Sequence, residues 1–451
     1  MIKKYIIAML MHGVLLSTTA AVAEPAMTLL DVYQEALAHD PTLASATSVN
    51  RAAQELIEQA KASYRPNVNF TAGAFGSRTN IRFIGATVFR SAGRATFEGY
   101  NYQFEARQPI YRKESLVLID QSEVQVSQAD KQLHLTQQNL MLRTTQAYFD
   151  VLIAQDRIML IQAQKAAILS QLDQAKVTFE VGTATVTDVN EAQARYDLVL
   201  SQEIAAENEF EIAKRALQAI TGRIPEKLAT VKSDIKVTQL SQGMKDWQDV
   251  ALQSNLNIQI QKDAIALAEK EIERAKAGHM PTLDAVASYA NNYSNGSPNG
   301  FGSDLENATL GLELLIPLYQ GGAVTSRVRQ AAYNKQKALD DIEIARRQTD
   351  LETQRAYLNL SSSIAQVKAL DQALLSSQSQ LDSTKLGYEV GVRTSVDVLN
   401  AQQQLFSAKR DLLEARYNYL VNIIRLKSAS GVVSEADLLD INQQLVAMNT
   451  Q

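Results

Sequence analysis

Cysteine is absent from all 451 residues, which excludes disulfides, thiolate metal sites and a lipid-modified cysteine at a mature N-terminus. Histidine is scarce. Of the four, His12 lies in an apolar leader, and His39, His134 and His279 are too far apart in the chain to share a metal-ligand spacing. The sequence has no Gly-x-Ser-x-Gly elbow, no phosphate-binding Gly-Lys-Ser loop and no His-Glu-x-x-His helix, so it is read as a non-enzyme without cofactor or metal. Beyond the leader no stretch reaches the roughly 18 apolar residues a membrane-spanning helix needs, so any membrane insertion must use strands.

Proline and glycine are missing most systematically. No proline lies between Pro109 and Pro225, and within residues 113–220 the only glycine is Gly182. The second half repeats this: no proline follows Pro317, and residues 323–430 contain only Gly387 and Gly391. Both tracts are rich in Ala, Gln, Leu, Lys and Glu, which favour helix. A helix from about Lys113 to Val181 would extend roughly 100 Å at 1.5 Å per residue. Its apolar residues, among them Ala129, Leu133, Leu140, Ala147, Phe149 and Leu152, are spread too broadly for a two-stranded seam and predict packing against more than one neighbour, as in a wall of helices.

The N-terminus reads as a secretory signal, with Lys3 and Lys4, an apolar stretch from Tyr5 to Leu16, and Ala21-Val22-Ala23 as a small-x-small cleavage site. Without it the net charge moves from -5 to about -7, an acidic balance that argues against nucleic acid as a partner. These features point to a Gram-negative envelope.

Ahead of each helical tract lies a pair of strand-like segments. Tyr100, Tyr102, Phe104 and Ala106 alternate with Asn101, Gln103, Glu105 and Arg107, and Val68, Phe70, Ala72 and Ala74 alternate with polar or small residues. In the second half the apolar sets are Leu283, Ala285, Ala287 and Tyr289, then Ala308, Leu310, Leu312, Leu314 and Ile316. Segments of about ten residues suit tilted transmembrane strands. The intervening stretches, about Thr79 to Glu98 and Asn291 to Asn307, read as exposed loops, and prolines at 66, 109, 281 and 317 mark the expected sheet-to-helix junctions. Four strands cannot close a barrel and an open edge cannot face lipid, so the chain must oligomerise; two or three copies both satisfy that geometry.

Each helical tract is broken by one short turn, and the two turns are near copies. Phe179-Glu180-Val181-Gly182-Thr183-Ala184-Thr185-Val186-Thr187-Asp188 matches Tyr388-Glu389-Val390-Gly391-Val392-Arg393-Thr394-Ser395-Val396-Asp397, 209 residues later. The chain is an internal duplication. Val-Gly is a helix stop, and Thr185-x-x-Asp188 and Thr394-x-x-Asp397 are capping boxes that open the next helix. Capping does not require Arg393, aligned with Ala184, or Tyr388, aligned with Phe179. A guanidinium and a phenol near Thr187 and Asp188 of the other hairpin would hold the two tips together.

These residues carry a family resemblance. The stretch from Leu386 to Leu439, with Gly-Tyr-Glu-Val-Gly-Val-Arg-Thr-Ser-Val-Asp-Val-Leu-Asn, Ala415-Arg416-Tyr417-Asn418-Tyr419-Leu420 and Lys427-Ser428-Ala429-Ser430-Gly431, resembles the outer-membrane efflux proteins of the TolC family. The resemblance in organisation covers essentially the whole mature chain. It implies a mainly α protein with a small β part: a homotrimer with a 12-stranded transmembrane β-barrel continued by a 12-helix periplasmic α-barrel, long helices alternating with stacked shorter pairs. It further implies an exit channel for type I protein secretion, multidrug efflux or both, in contact with outer-membrane lipid. The implied partners are a periplasmic adaptor and an inner-membrane ABC or proton-driven translocase. By motif position, Thr187, Asp188, Tyr388 and Arg393 would form the periplasmic gate, Asp397 and Asn400 would line the entrance, and the turns at Gly182 and Gly391 would be adaptor contacts. The family's TolC members carry an acid where this chain has Asn400, which implies weaker binding of multivalent cations at the entrance.

The expected organisation is a signal peptide at 1–23, a first repeat at 24–222 with strands about 67–79 and 98–109 and a tip near 182–188, and a connector at 223–245. A second repeat at 246–430 follows, with strands about 282–292 and 306–317 and a tip near 387–397, then a C-terminal segment at 431–451; connector and segment are expected to pack outside the helical wall at its equator. The alternative is a periplasmic helical scaffold or adaptor without a pore, against which the apolar face on all four strands argues.

Overall fold

The structure, a computed structural model, describes residues 26–82, 84, 93–225, 227–232, 235–298 and 301–446. The expected signal peptide lies outside the described residues, as do parts of the expected loops (83, 85–92 and 299–300) and the end of the C-terminal segment, 447–451.

The same six-element run occurs twice. The first is α1 (Leu29–His39), α2 (Pro41–Ala62), β1 (Asn67–Ile81), β2 (Gly93–Arg112), α3 (Lys113–Glu180) and α4 (Val186–Thr221). After β3 (Thr230–Val231) the run repeats as α5 (Met244–Ser254), α6 (Leu256–Ala277), β4 (Thr282–Ser294), β5 (Ser303–Leu315), α7 (Ala323–Glu389) and α8 (Ser395–Ala429), and α9 (Glu435–Asn442) and β6 (Leu445–Val446) close the chain. The uninterrupted helix predicted from the missing proline is there: α3 has 68 residues and α7 has 67.

The returning helices are only half as long, 36 residues in α4 and 35 in α8, so the other half of each long helix needs different neighbours. For α3 these are α2 and α6. Asn50 donates to Asp130 at 2.6 Å, Gln121 to Glu271 at 3.0 Å and Lys270 to Asp120 at 2.9 Å. Further along, Lys165 of α3 pairs with Glu203 of α4, and Gln164 donates to Gln403 of α8 at 2.9 Å. The short helices thus occupy the height that the returning helices leave open. Both joints carry a left-handed glycine at the end of the returning helix, Gly222 and Gly431, again 209 residues apart. A Cβ on Gly222 would stand 3.3 Å from His39 Cβ, at the α1–α2 joint, and one on Gly431 would stand 2.7 Å from Asn255 Cα, at the α5–α6 joint.

The largest core sits at this level. Tyr148 donates to the Ala229 carbonyl at 2.6 Å, its ring meets Phe149 edge-on at 5.4 Å, and Phe149 lies 5.7 Å from Tyr417. Leu29, Tyr33, Leu152, Leu420, Ile424 and Leu438 are among its other members, each such side chain contributing about 1.5–3 kcal/mol by leaving water. The connector and the C-terminal segment meet here, β3 pairing antiparallel with β6, and Thr238 donates its N–H to Tyr419 Oη at 3.0 Å.

The four long strands form one antiparallel sheet in the order β1-β2-β4-β5. Phe70 pairs with Phe104 and Tyr100 with Tyr293, and both aromatic pairs lie on the same face. That face is exposed: Leu310 is 85% and Leu312 72% accessible. The strands correct the expectation of about ten residues, since they run for 15, 20, 13 and 13. Pairing reaches Ile81↔Gly93 and Ser294↔Ser303 inside stretches read as loops, because a backbone ladder continues past the point where the apolar alternation stops. Pro109 also falls within β2, not at its end. The register shifts between Pro109 and Tyr111, a bulge that accommodates a residue without an N–H. No helix among the described residues is long and apolar enough to cross a membrane.

Candidate functional site

The two hairpin tips are built alike. In the first, Gly182 adopts φ +78 and donates to the Phe179 carbonyl at 2.9 Å, while Thr183 donates to Thr178 at 2.9 Å. In the second, Gly391 adopts φ +79 and donates to Tyr388 at 3.0 Å, while Val392 donates to Gly387 at 2.9 Å. Each following helix opens on a full capping box: Asp188 Oδ2 accepts from the Thr185 N–H at 2.9 Å and hydroxyl at 2.7 Å, and Asp397 Oδ2 accepts from both groups of Thr394 at 2.9 Å. One oxygen of each aspartate is therefore a helix cap.

The copies differ in what the rest of the tip does. Asp188 Oδ1 accepts from the Ser395 hydroxyl, the first residue of α8, at 2.8 Å. This joins the two tips within the protomer. The Thr185 hydroxyl and N–H and the Ser395 hydroxyl together hold the Asp188 carboxyl below the usual carboxylate range. Asp397 is lowered too, first by the Thr394 N–H and hydroxyl and additionally by the charge of Arg393. Arg393 folds its aliphatic stem back over Gly387, where a Cβ would come within 2.8 Å of Arg393 Cγ. The first copy has the opposite pairing of sizes, Thr178 with Ala184.

Tyr388 is partly buried against Leu381, Val398, Ala401 and Leu405 of its own hairpin, while Thr187 and Arg393 are exposed. Among the described residues, neither Tyr388 nor Arg393 bonds to Thr187 or Asp188 inside the protomer. Instead Ser395 takes the position expected of the lock. One turn deeper, Asn400 is exposed and accepts from Arg195 of α4 at 2.7 Å. Beside it Leu399 is buried against Leu172, Ala175 and Ala192, an apolar knob from the second hairpin set into the first. Asp397 is half-buried and, among the described residues, has no partner outside its own cap and the neighbouring Arg393 charge. No group of three or more metal-ligating side chains occurs among the described residues.

The pattern of outer membrane efflux proteins matches this chain twice, over residues 32–223 and 247–432, one match for each repeat. The chain belongs to the outer membrane efflux protein family. It is 34% identical over 420 residues to the outer membrane protein TolC of Vibrio cholerae, spanning 92% of this chain and 93% of that protein. The proteases secretion protein PrtF of Dickeya chrysanthemi is 29% identical over 435 residues, covering 95% and 93% of the two chains. The crystal structure of CusC superposes with a TM-score of 0.76 over 90% of this chain and 92% of that one, at 19% identity, which is a likeness of fold. This efflux-family chain is an outer-membrane channel of the efflux and secretion class that extends into the periplasm, and the scaffold without a pore is not favoured. Its relatives are channel proteins, not enzymes.

Ser395, Arg195, Leu399 and Gly387 escaped the sequence reading of this efflux-family tip. Alignment of the two halves carries a trace of them: Ser395 faces Val186, Gly387 faces Thr178 and Asn400 faces Glu191. Such differences mark where two equal hairpins are made unequal.

Proposed function

We propose that the chain works as a homotrimeric, passive exit duct for type I protein secretion, multidrug efflux or both, with no catalysis of its own. The sheet carries this reading. One of its faces is apolar and exposed, and its outer strands β1 and β5 have unpaired edges that lipid cannot satisfy. Three copies joined β5 to β1 keep every neighbour antiparallel and close a 12-stranded barrel, with α3 and α7 extending the wall by roughly 100 Å.

The far ends of the hairpins expose Val181, Val186, Val390 and Val392 around Gly182 and Gly391, an apolar rim suited to a periplasmic adaptor that couples an inner-membrane ABC or proton-driven translocase. In the closed trimer Arg393 and Tyr388 engage Thr187 and Asp188 across the boundary between protomers, where the exposed Thr187 and Arg393 are free to meet. Opening is then release of those bonds and outward movement of the second hairpin.

Purified protein should form conducting channels in planar bilayers and migrate as an oligomer on an unboiled gel; a soluble monomer would reject the duct. Combining Tyr388→Phe with Arg393→Ser should raise single-channel conductance. An unchanged conductance would reject the lock and leave the duct standing.

A further inference from the structure

A cation from the first hairpin stands against position 400. Arg195 Nη2 lies 2.7 Å from Asn400 Oδ1 and 3.3 Å from Glu191 Oε1, one turn back on α4. Glu191 and Asn400 are counterparts in the duplication, so one guanidinium holds the same position of both repeats. Arg195 Nε is buried without a hydrogen-bond partner among the described residues, and the neighbouring Leu399 knob fixes how α4 and α8 meet at this height.

Arginine carries only donors, so the amide oxygen of Asn400 must face it and the amide nitrogen must face away. Position 400 therefore presents N–H donors where a carboxylate would present acceptors. We propose that Arg195 is a specificity-determining residue of the channel entrance: it turns the Asn400 amide donors toward the conducting path and compensates any acid placed at 400. This rests on Asp397 and Asn400 lining that path. A carboxylate at 400 would share the guanidinium with Glu191, so its field would be partly cancelled where a multivalent cation binds.

The test is block by a trivalent cation in planar bilayers, using channels whose oligomer band on an unboiled gel matches the parent. Asn400→Asp alone is expected to lower the half-blocking concentration by only about twofold, and Asn400→Asp with Arg195→Gln by about tenfold, more than the two single changes combined. An equal gain from Asn400→Asp with or without Arg195→Gln would overturn the role of Arg195. Asp397→Asn separates the two levels: it should weaken block in the parent channel. If Asp397→Asn leaves block unchanged, the entrance reading fails and the proposal falls with it.

Discussion

Asp188 spends its two oxygens differently, one on its own helix cap and one on Ser395 of the other hairpin. Ser395→Ala should therefore leave both helices intact and cost about 1 kcal/mol at the junction of the tips. Faster hydrogen exchange in the first turn of α8, with unchanged far-ultraviolet circular dichroism, is the expected signature. Both capping aspartates have folded-state pKa values below their unfolded ones. Their stabilisation is fully present above the ordinary carboxylate range and is lost as pH falls through the depressed folded values. Protection of the tip amides, taken relative to the intrinsic exchange rate at each pH, should fall on acidification, and Asp188→Asn should flatten that dependence. The capping role was legible because Thr-x-x-Asp is local chemistry. The Ser395 and Arg195 bonds were not, since they join positions more than 200 residues apart in sequence and depend on which faces of α4 and α8 meet.

Glycine separates two kinds of helix end. At Gly182 and Gly391 nothing lies within 4 Å of an added Cβ, so alanine there pays only for the left-handed backbone, about 1–2 kcal/mol. At Gly431 the same backbone strain is joined by contacts of 2.7–2.9 Å with the backbone of Asn255 and Ser254. Gly431→Ala should cost roughly 3 kcal/mol or more, and thermal unfolding of the three alanine variants at 182, 391 and 431 should rank Gly431 as the most damaging. The first long helix was readable to within a residue or so, because missing proline and glycine act on every turn; α3 ends at Glu180 where Val181 was expected. Strand lengths were underestimated for the converse reason. Apolar alternation reports the exposed apolar face, whereas the ladder runs on through Arg94, Thr96 and Asp304 into polar sequence.

For the whole molecule, the sheet's exposed face and the stacked helices answer to different solvents. Leu312→Arg places a charge in the middle of the apolar face and should cost about 2–4 kcal/mol in a bilayer, seen as loss of the oligomer from the outer-membrane fraction. The same substitution should leave the equatorial core around Tyr148 and Tyr417 folded, since that core lies on helices. The stacked joints, with Gly222 against His39 and Gly431 against Asn255, have a mechanical meaning of their own. Below them each returning helix is a rigid arm of roughly 50 Å, and a tilt of about 10° at the joint carries its tip about 9 Å sideways. Because α3 and α7 run unbroken past the joints from the sheet to the tips, such a movement at the far end has to be taken up as a gentle bend spread along roughly 100 Å of helix, which leaves little of it to any one turn beside the sheet.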